Sequence, residues 1–121
     1  MSRLGSSLGT LRYQMCGTSA NMDFKRTTNG RTITLEIAGE LDATTVAELR
    51  PELNAIAEDL PERVEVDLSR LRMVDSSGVG AIISLFKRVR ANGDSFVVSG
   101  VNGQPLSIFR VLRLDKVFDI Q

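Results

Sequence analysis

From Met22 onward, apolar and polar residues switch between strand-like alternation and helical spacing in a regular succession. Ile33, Leu35 and Ile37 alternate with Thr34 and Glu36, the pattern of a strand buried on one face. Asn29-Gly30 ahead of it predicts a hairpin turn, since both central positions of such a turn need positive φ. Residues 22–27 are then the antiparallel partner. Thr45 and Glu48 have the spacing of a capping box, which predicts a helix opening at Thr44 or Thr45. Val46, Leu49, Leu53, Ile56 and Leu60 fall on one face of that helix. Pro51 lies inside the run and lacks an N–H to donate, so a kink or a late start is expected.

Pro61 closes the helix, and Val64, Val66 and Leu68 alternate with Glu65 and Asp67 in a third strand. A second helix follows the Asp75-Ser76-Ser77-Gly78 turn, with Val79, Ile82, Ile83, Phe86 and Val89 as its buried stripe. Asn92-Gly93 ends it. Residues 96–99 read as a short buried strand and 105–112 as a last helix, with Leu106, Phe109 and Val111 or Leu112 inward. A final short strand fits 117–120. The order β-β-α-β-α-β-α predicts an α/β fold with a mixed four- to five-stranded sheet. An N-terminal hairpin supplies its antiparallel part, and three or more helices pack it. Residues 1–21, rich in Gly, Ser and Thr without a sustained period, read as a flexible N-terminal extension to a domain at 22–121. Their start lacks the apolar core of a secretory signal.

A length of 121 residues suits one domain with one modest core. A net charge of zero provides no whole-chain field for nucleic acid or an anionic membrane. The basic run Lys87-Arg88-Val89-Arg90 reads as a solvated helix end. No apolar stretch approaches the roughly 20 residues needed to span a bilayer. A single cysteine, Cys16, rules out an internal disulfide framework and fits a reducing, cytoplasmic setting. The more telling absence is histidine. Without it, the Ser-His-Asp and Cys-His forms of nucleophilic catalysis are excluded, and a zinc site would have to rest on carboxylates. Carboxylate-held Mg²⁺ and a Ser-Lys pair stay open on composition alone.

The segment from Val66 to Gly80 is a strand, a loop and then two hydroxyls, Ser76 and Ser77, where a helix begins. A helix N-terminus offers free N–H groups and partial positive charge, so it accommodates a phosphate. Phosphorylation there adds about −1.5 to −2 charges and three strong acceptors without unfolding the domain. Gly78 and Gly80 are expected to leave the approach uncrowded. Read locally, Ser-Ser-Gly is also an ordinary N-cap and loop. A nucleotide-binding Walker loop is excluded, because Gly80 is followed by Ala81-Ile82 rather than Lys and Ser/Thr. Gly39-Glu40-Leu41-Asp42 forms a second cluster. Its acid either caps the next helix or joins Asp75 on the rim where parallel strands end, as a binding face or a Mg²⁺ site.

The runs Ile37-Ala38-Gly39-Glu40-Leu41-Asp42, Val66-Asp67-Leu68 and Val74-Asp75-Ser76-Ser77-Gly78-Val79-Gly80 resemble the STAS family, over roughly residues 22–120. The anti-sigma factor antagonists of that family are the nearest in pattern. The resemblance implies that Ser76 is phosphorylated by a partner serine kinase that also acts as an anti-sigma factor. It places Asp42, Asp75, Ser77, Gly78, Val79 and Gly80 on the docking surface. The unphosphorylated form would bind the partner and free a sigma factor, phosphorylation would release it, and a metal-dependent Ser/Thr phosphatase would reset the switch. No catalytic residue, metal, cofactor, nucleic acid or membrane is implied for the chain itself. The alternative within the family is a constitutive STAS adaptor subunit of a transporter or signalling scaffold. A receiver-like enzyme would need an acidic pair after its first strand and an aspartate acceptor, a set missing here. Arg113 departs from the family pattern, standing where many relatives have glycine, and the chain ends at Gln121 without a further helix found in several of them.

Overall fold

The computed structural model describes residues 12–18 and 21–120. At its centre is a hairpin of β2 (Met22–Asn29) and β3 (Thr32–Leu41), antiparallel and in register from Asn29 against Thr32 to Met22 against Gly39. Gly30 and Arg31 connect them, and only Gly30 has positive φ (64°). The turn is therefore one residue later than the Asn29-Gly30 expectation. It has glycine at the first central position, where one positive φ suffices.

β3 is the organising strand. Its first half, Thr32 to Glu36, pairs in parallel with β4 (Arg63–Asp67). Its second half, Gly39 to Leu41, pairs in parallel with β5 (Leu71–Val74), with a register shift between Gly39 and Glu40. β6 (Ser95–Ser99) lies beyond β4, and the two-residue β7 (Asp119–Ile120) lies beyond β6. The result is a seven-stranded sheet in the order β1-β2-β3-β4-β6-β7, with β5 branching from β3.

The mixed α/β class, the opening hairpin and the helix–strand succession are as expected, and two strands are additional. One is β5, which was read as loop. The other is β1 (Arg12–Thr18), antiparallel to β2, within the stretch expected to be an N-terminal extension; residues 1–11 and 19–20 of that stretch lie outside the described residues. Leu11, Tyr13 and Met15 alternate with Arg12 and Gln14 for only a few residues, too short a run to be convincing as a pattern. The free edge of β2 supplies the backbone partners that make it a strand.

Three helices complete the layer: α1 (Val46–Glu58), α2 (Ser76–Ala91) and α3 (Gly103–Val111). Leu49, Leu53 and Ile56 of α1 and Val79, Ile82, Leu85 and Val89 of α2 bury themselves with Ile33, Leu35 and Ile37 of β3. Phe86, Phe96, Phe109 and Phe118 close the other end, with ring centroids 5.1–5.7 Å apart. Pro51 sits within α1, which neither starts late nor breaks there. Leu60 falls outside that helix at φ 51° and is exposed, so it leaves the expected stripe. Val111 and Leu112 also point outward. Val111 stands about half a turn around α3 from the buried Phe109, and Leu112 caps the helix just before Arg113 turns the chain at φ 61°.

One buried contact had no counterpart in the sequence reading. Arg26 on β2 is 4% exposed and Glu52 on α1 is 7% exposed. The Arg26 guanidinium donates to Glu52 Oε2 at 2.9 Å and also to Asp59 at the end of α1. Strand and helix are thus held by charge inside an apolar layer. Removing one partner of such a pair strands the other charge, whereas replacing both with apolar side chains is close to neutral. Arg26→Met is therefore expected to lower the unfolding free energy by about 3–5 kcal/mol in a urea titration. Arg26→Met with Glu52→Leu should recover most of that loss, and two variants of equal stability would contradict a charge-based staple.

Candidate functional site

β3 and β5 end side by side, with Leu41 opposite Val74. The next residues, Asp42 and Asp75, therefore leave the sheet at the same edge. From there the chain enters α2 directly. Asp75 is its N-cap in extended conformation, and its Oδ1 accepts from Ser77 N–H at 2.8 Å and Gly78 N–H at 3.2 Å. These are two of the donors that a first helical turn leaves unsatisfied. The cap is held from behind, because Asp75 N–H donates to Leu41 O at 3.2 Å.

Gly78 explains how the helix comes so close. A Cβ on it would lie 2.7 Å from Leu41 O and 2.7 Å from a Val74 methyl, so only glycine fits against the strand ends. Gly78 is buried and Val79 is 4% exposed. This corrects the expectation for both. They seat α2 on the sheet from beneath and present no side chain to a partner. Gly80, by contrast, faces open space. Ser76 is the first residue of α2 and is exposed, Ser77 is half-buried, and Asp75 is exposed. The Ser76 hydroxyl has no hydrogen-bond partner among the described residues.

Asp42 occupies a tight polar turn of its own. Its Oδ1 accepts from the Thr44 hydroxyl at 2.7 Å, Thr44 N–H at 2.9 Å and Thr45 N–H at 3.1 Å. Thr45 does not form the expected capping box. Its hydroxyl donates to Glu40 O and accepts from Asp42 N–H, both at 2.9 Å, and the helix gets no side-chain cap from it. The Thr44 hydroxyl and then the Thr45 N–H hold the Asp42 carboxyl below its ordinary value of 3.8. These bonds are made to the ionised form, so they favour it. Among the described residues, no three His, Cys, Asp or Glu side chains cluster to hold a metal ion.

Gln104 was not foreseen. Its Oε1 accepts from Val74 N–H at 2.9 Å and its Nε2 donates to Val74 O at 3.1 Å. A side-chain amide from α3 thus stands in for a neighbouring strand along β5, immediately before Asp75 and Ser76. No local pattern signals a contact 30 residues away. The Asp42 turn was legible, since Asp followed by Thr at the second and third positions is a recurrent side-chain-to-backbone turn.

A family model described as "Mlab, STAS domain" matches residues 24–120, and the chain belongs to the STAS domain family. An anti-sigma-B factor antagonist of Staphylococcus aureus is 25% identical over 100 residues, covering 83% of this chain and 93% of that protein. A Bacillus subtilis protein of the same name is 29% identical over 100 residues, covering 83% and 89%. Among solved structures, the Bacillus cell fate determinant SpoIIAA in its phosphorylated form matches with a TM-score of 0.61 at 16% identity. The match covers 90% of this chain and 91% of that one. At that identity the likeness is one of fold. No helix among the described residues is long and apolar enough to cross a membrane.

Gly78→Ala is expected to cost about 1–3 kcal/mol, the usual cost of forcing atoms into a packed contact. Gly80→Ala should be neutral or stabilising by up to about 1 kcal/mol, as alanine favours a helix interior. Equal effects in thermal unfolding would contradict the close approach. Thr44→Val should bring the Asp42 pKa back up towards 3.8, read by carboxyl NMR titration. Because the folded value is the lower one, the stabilisation is complete above the ordinary carboxylate range. It is lost as pH falls through the lowered value. Thr44→Val should therefore flatten stability against pH only in that acidic window.

Proposed function

We propose that this protein is an anti-sigma factor antagonist that itself catalyses nothing and is switched by phosphorylation of Ser76. The observation that carries the reading is the position of Ser76. It is an exposed, unengaged hydroxyl on the first residue of a firmly capped helix, on the rim shared by Asp42 and Asp75. Membership of the STAS family and the antagonist names of its relatives support the same reading.

In this mechanism the unphosphorylated protein binds an anti-sigma factor that is also its serine kinase. The docking surface is the rim of Asp42, Asp75, Ser76, Ser77 and Gly80. The kinase supplies ATP and Mg²⁺; the Ser76 Oγ attacks the γ-phosphorus as its proton leaves to a kinase base, the bond from that phosphorus to the β–γ bridging oxygen breaks, and ADP departs. The new dianion sits beside two carboxylates in the middle of the covered surface. Like charges brought together in an interface cost several kcal/mol, and about 1.4 kcal/mol is already tenfold in affinity. Release follows from charge and bulk alone, with no unfolding of the domain. A Ser/Thr phosphatase removes the group and restores binding. All of this takes place in the cytoplasm.

A second reading rests on the words of the family description, "Mlab, STAS domain". In that reading the same rim is a permanent contact of a STAS adaptor subunit in a transporter or signalling scaffold. Co-purification with a transport ATPase and no phosphate on Ser76 in cells would select it.

Incubation with candidate kinases and ATP–Mg²⁺, followed by mass spectrometry, is expected to place the phosphate on Ser76. Ser76→Ala should abolish labelling and keep the partner bound, Ser77→Ala should retain labelling, and Ser76→Glu should weaken binding by about tenfold or more. Full labelling of Ser76→Ala would refute the assignment.

A further inference from the structure

Arg50 on α1 and Arg88 on α2 border one notch, and neither has an ion-pair partner among the described residues. A shallow notch of about 50 Å³ lies between α1 and α2, floored by Leu53 and Leu85 and rimmed by Arg50, Asn54, Ser84 and Arg88. No carboxylate borders it. Among the described residues the ion pairs use Arg26, Arg31, Arg63 and Arg72, while Arg50 and Arg88 have none. Arg88 is nevertheless held in place, since its Nη1 donates to Asn54 Oδ1 at 2.8 Å across the two helices. One bond of this kind orients a guanidinium and leaves most of its five N–H groups available.

The notch is continuous with the serine rim. Ser77, Gly80, Ser84 and Arg88 follow one another on α2 at spacings of three or four residues, which puts them on one helical face. The distance from Ser77 to Arg88 is about 16 Å along the axis. Short side chains leave that face low, so a partner covering Ser76 has a clear path along α2 to the two arginines.

We infer that the α1–α2 notch takes a carboxylate side chain from an acidic segment of the protein partner that covers the Ser76 rim. The notch has room for a carboxylate and not for a nucleotide, and a planar guanidinium pairs with a carboxylate through two parallel hydrogen bonds. A nucleic-acid phosphate backbone is the poorer occupant, because the chain has zero net charge. The identity of the occupant rests on the antagonist reading above, whereas the preference of the notch for carboxylates does not.

The test is an amide NMR titration of the full chain with hexaglutamate, using hexalysine and inorganic phosphate as comparisons. Hexaglutamate should give saturable shifts centred on Asn54, Ser84 and Arg88, weakened by added salt. They should be lost in Arg50→Glu/Arg88→Glu and unchanged in Ser76→Ala. Should charge reversal disturb folding, Arg50→Gln/Arg88→Gln must give the same loss with native amide dispersion. Scattered shifts, shifts that survive in the double variant, or an equal response to inorganic phosphate would overturn the assignment. With a kinase that labels Ser76, the double variant should bind about tenfold more weakly and still be labelled on Ser76. Labelling of Ser76 without hexaglutamate binding removes the notch alone. Hexaglutamate binding without a kinase leaves the notch and removes the switch.

Discussion

The approach of α2 to the Leu41 carbonyl governs the geometry of the whole serine rim. Gly78 lies where any side chain would strike that oxygen, and Asp75 N–H donates to the same atom from the preceding turn. The end of β3 thus fixes both the height and the direction of the helix start. With Gly78 and Val79 turned under, Ser76 is left outside. The exposed hydroxyl is therefore a consequence of packing beneath it, and a bulkier residue at 78 would disturb the rim without touching the rim's own side chains.

Much of the fold was legible because β3, β4, α1 and α2 each keep their period for long enough to be read. β5 was not, since its buried residues, Leu71 and Val74, are separated by two exposed ones and show neither strand nor helix alternation. Its other edge is completed by Gln104, from a helix that local patterning cannot connect to it. Val111 falls opposite the buried Phe109 on α3, and Leu112 ends the helix just before Arg113 takes a positive φ that no local pattern signals. That turn is one that the glycine of the family pattern would suit. Arginine occupies there the left-handed conformation that glycine adopts without cost. Arg26 and Glu52 were readable in principle. Each is a charge on the apolar face of its own element, and two such misfits are often each other's partner.

At the candidate site, sequence and structure divided the work unevenly. The residue types at 42, 75, 76 and 77 were apparent, and so was their common edge. Which of them are surface and which are support was not. Gly78, Val79 and Gly80 form an unbroken run in sequence, yet two face the sheet and one faces open space. A helix turns about 100° per residue, so neighbours in a motif seldom share an environment. A motif can therefore be kept for docking in some positions and for packing in others.

The division of β3 between two partners has a consequence for how the chain assembles. The β2–β3 hairpin closes over a two-residue turn, but β4 reaches the first half of β3 only across the whole of α1, and β5 reaches the second half only across α1 and β4. Contacts distant in sequence form late, because loop closure has to precede them. The serine-bearing edge belongs with these non-local pairings: it exists only where the end of β3 and the end of β5, separated in the chain by α1 and β4, have met.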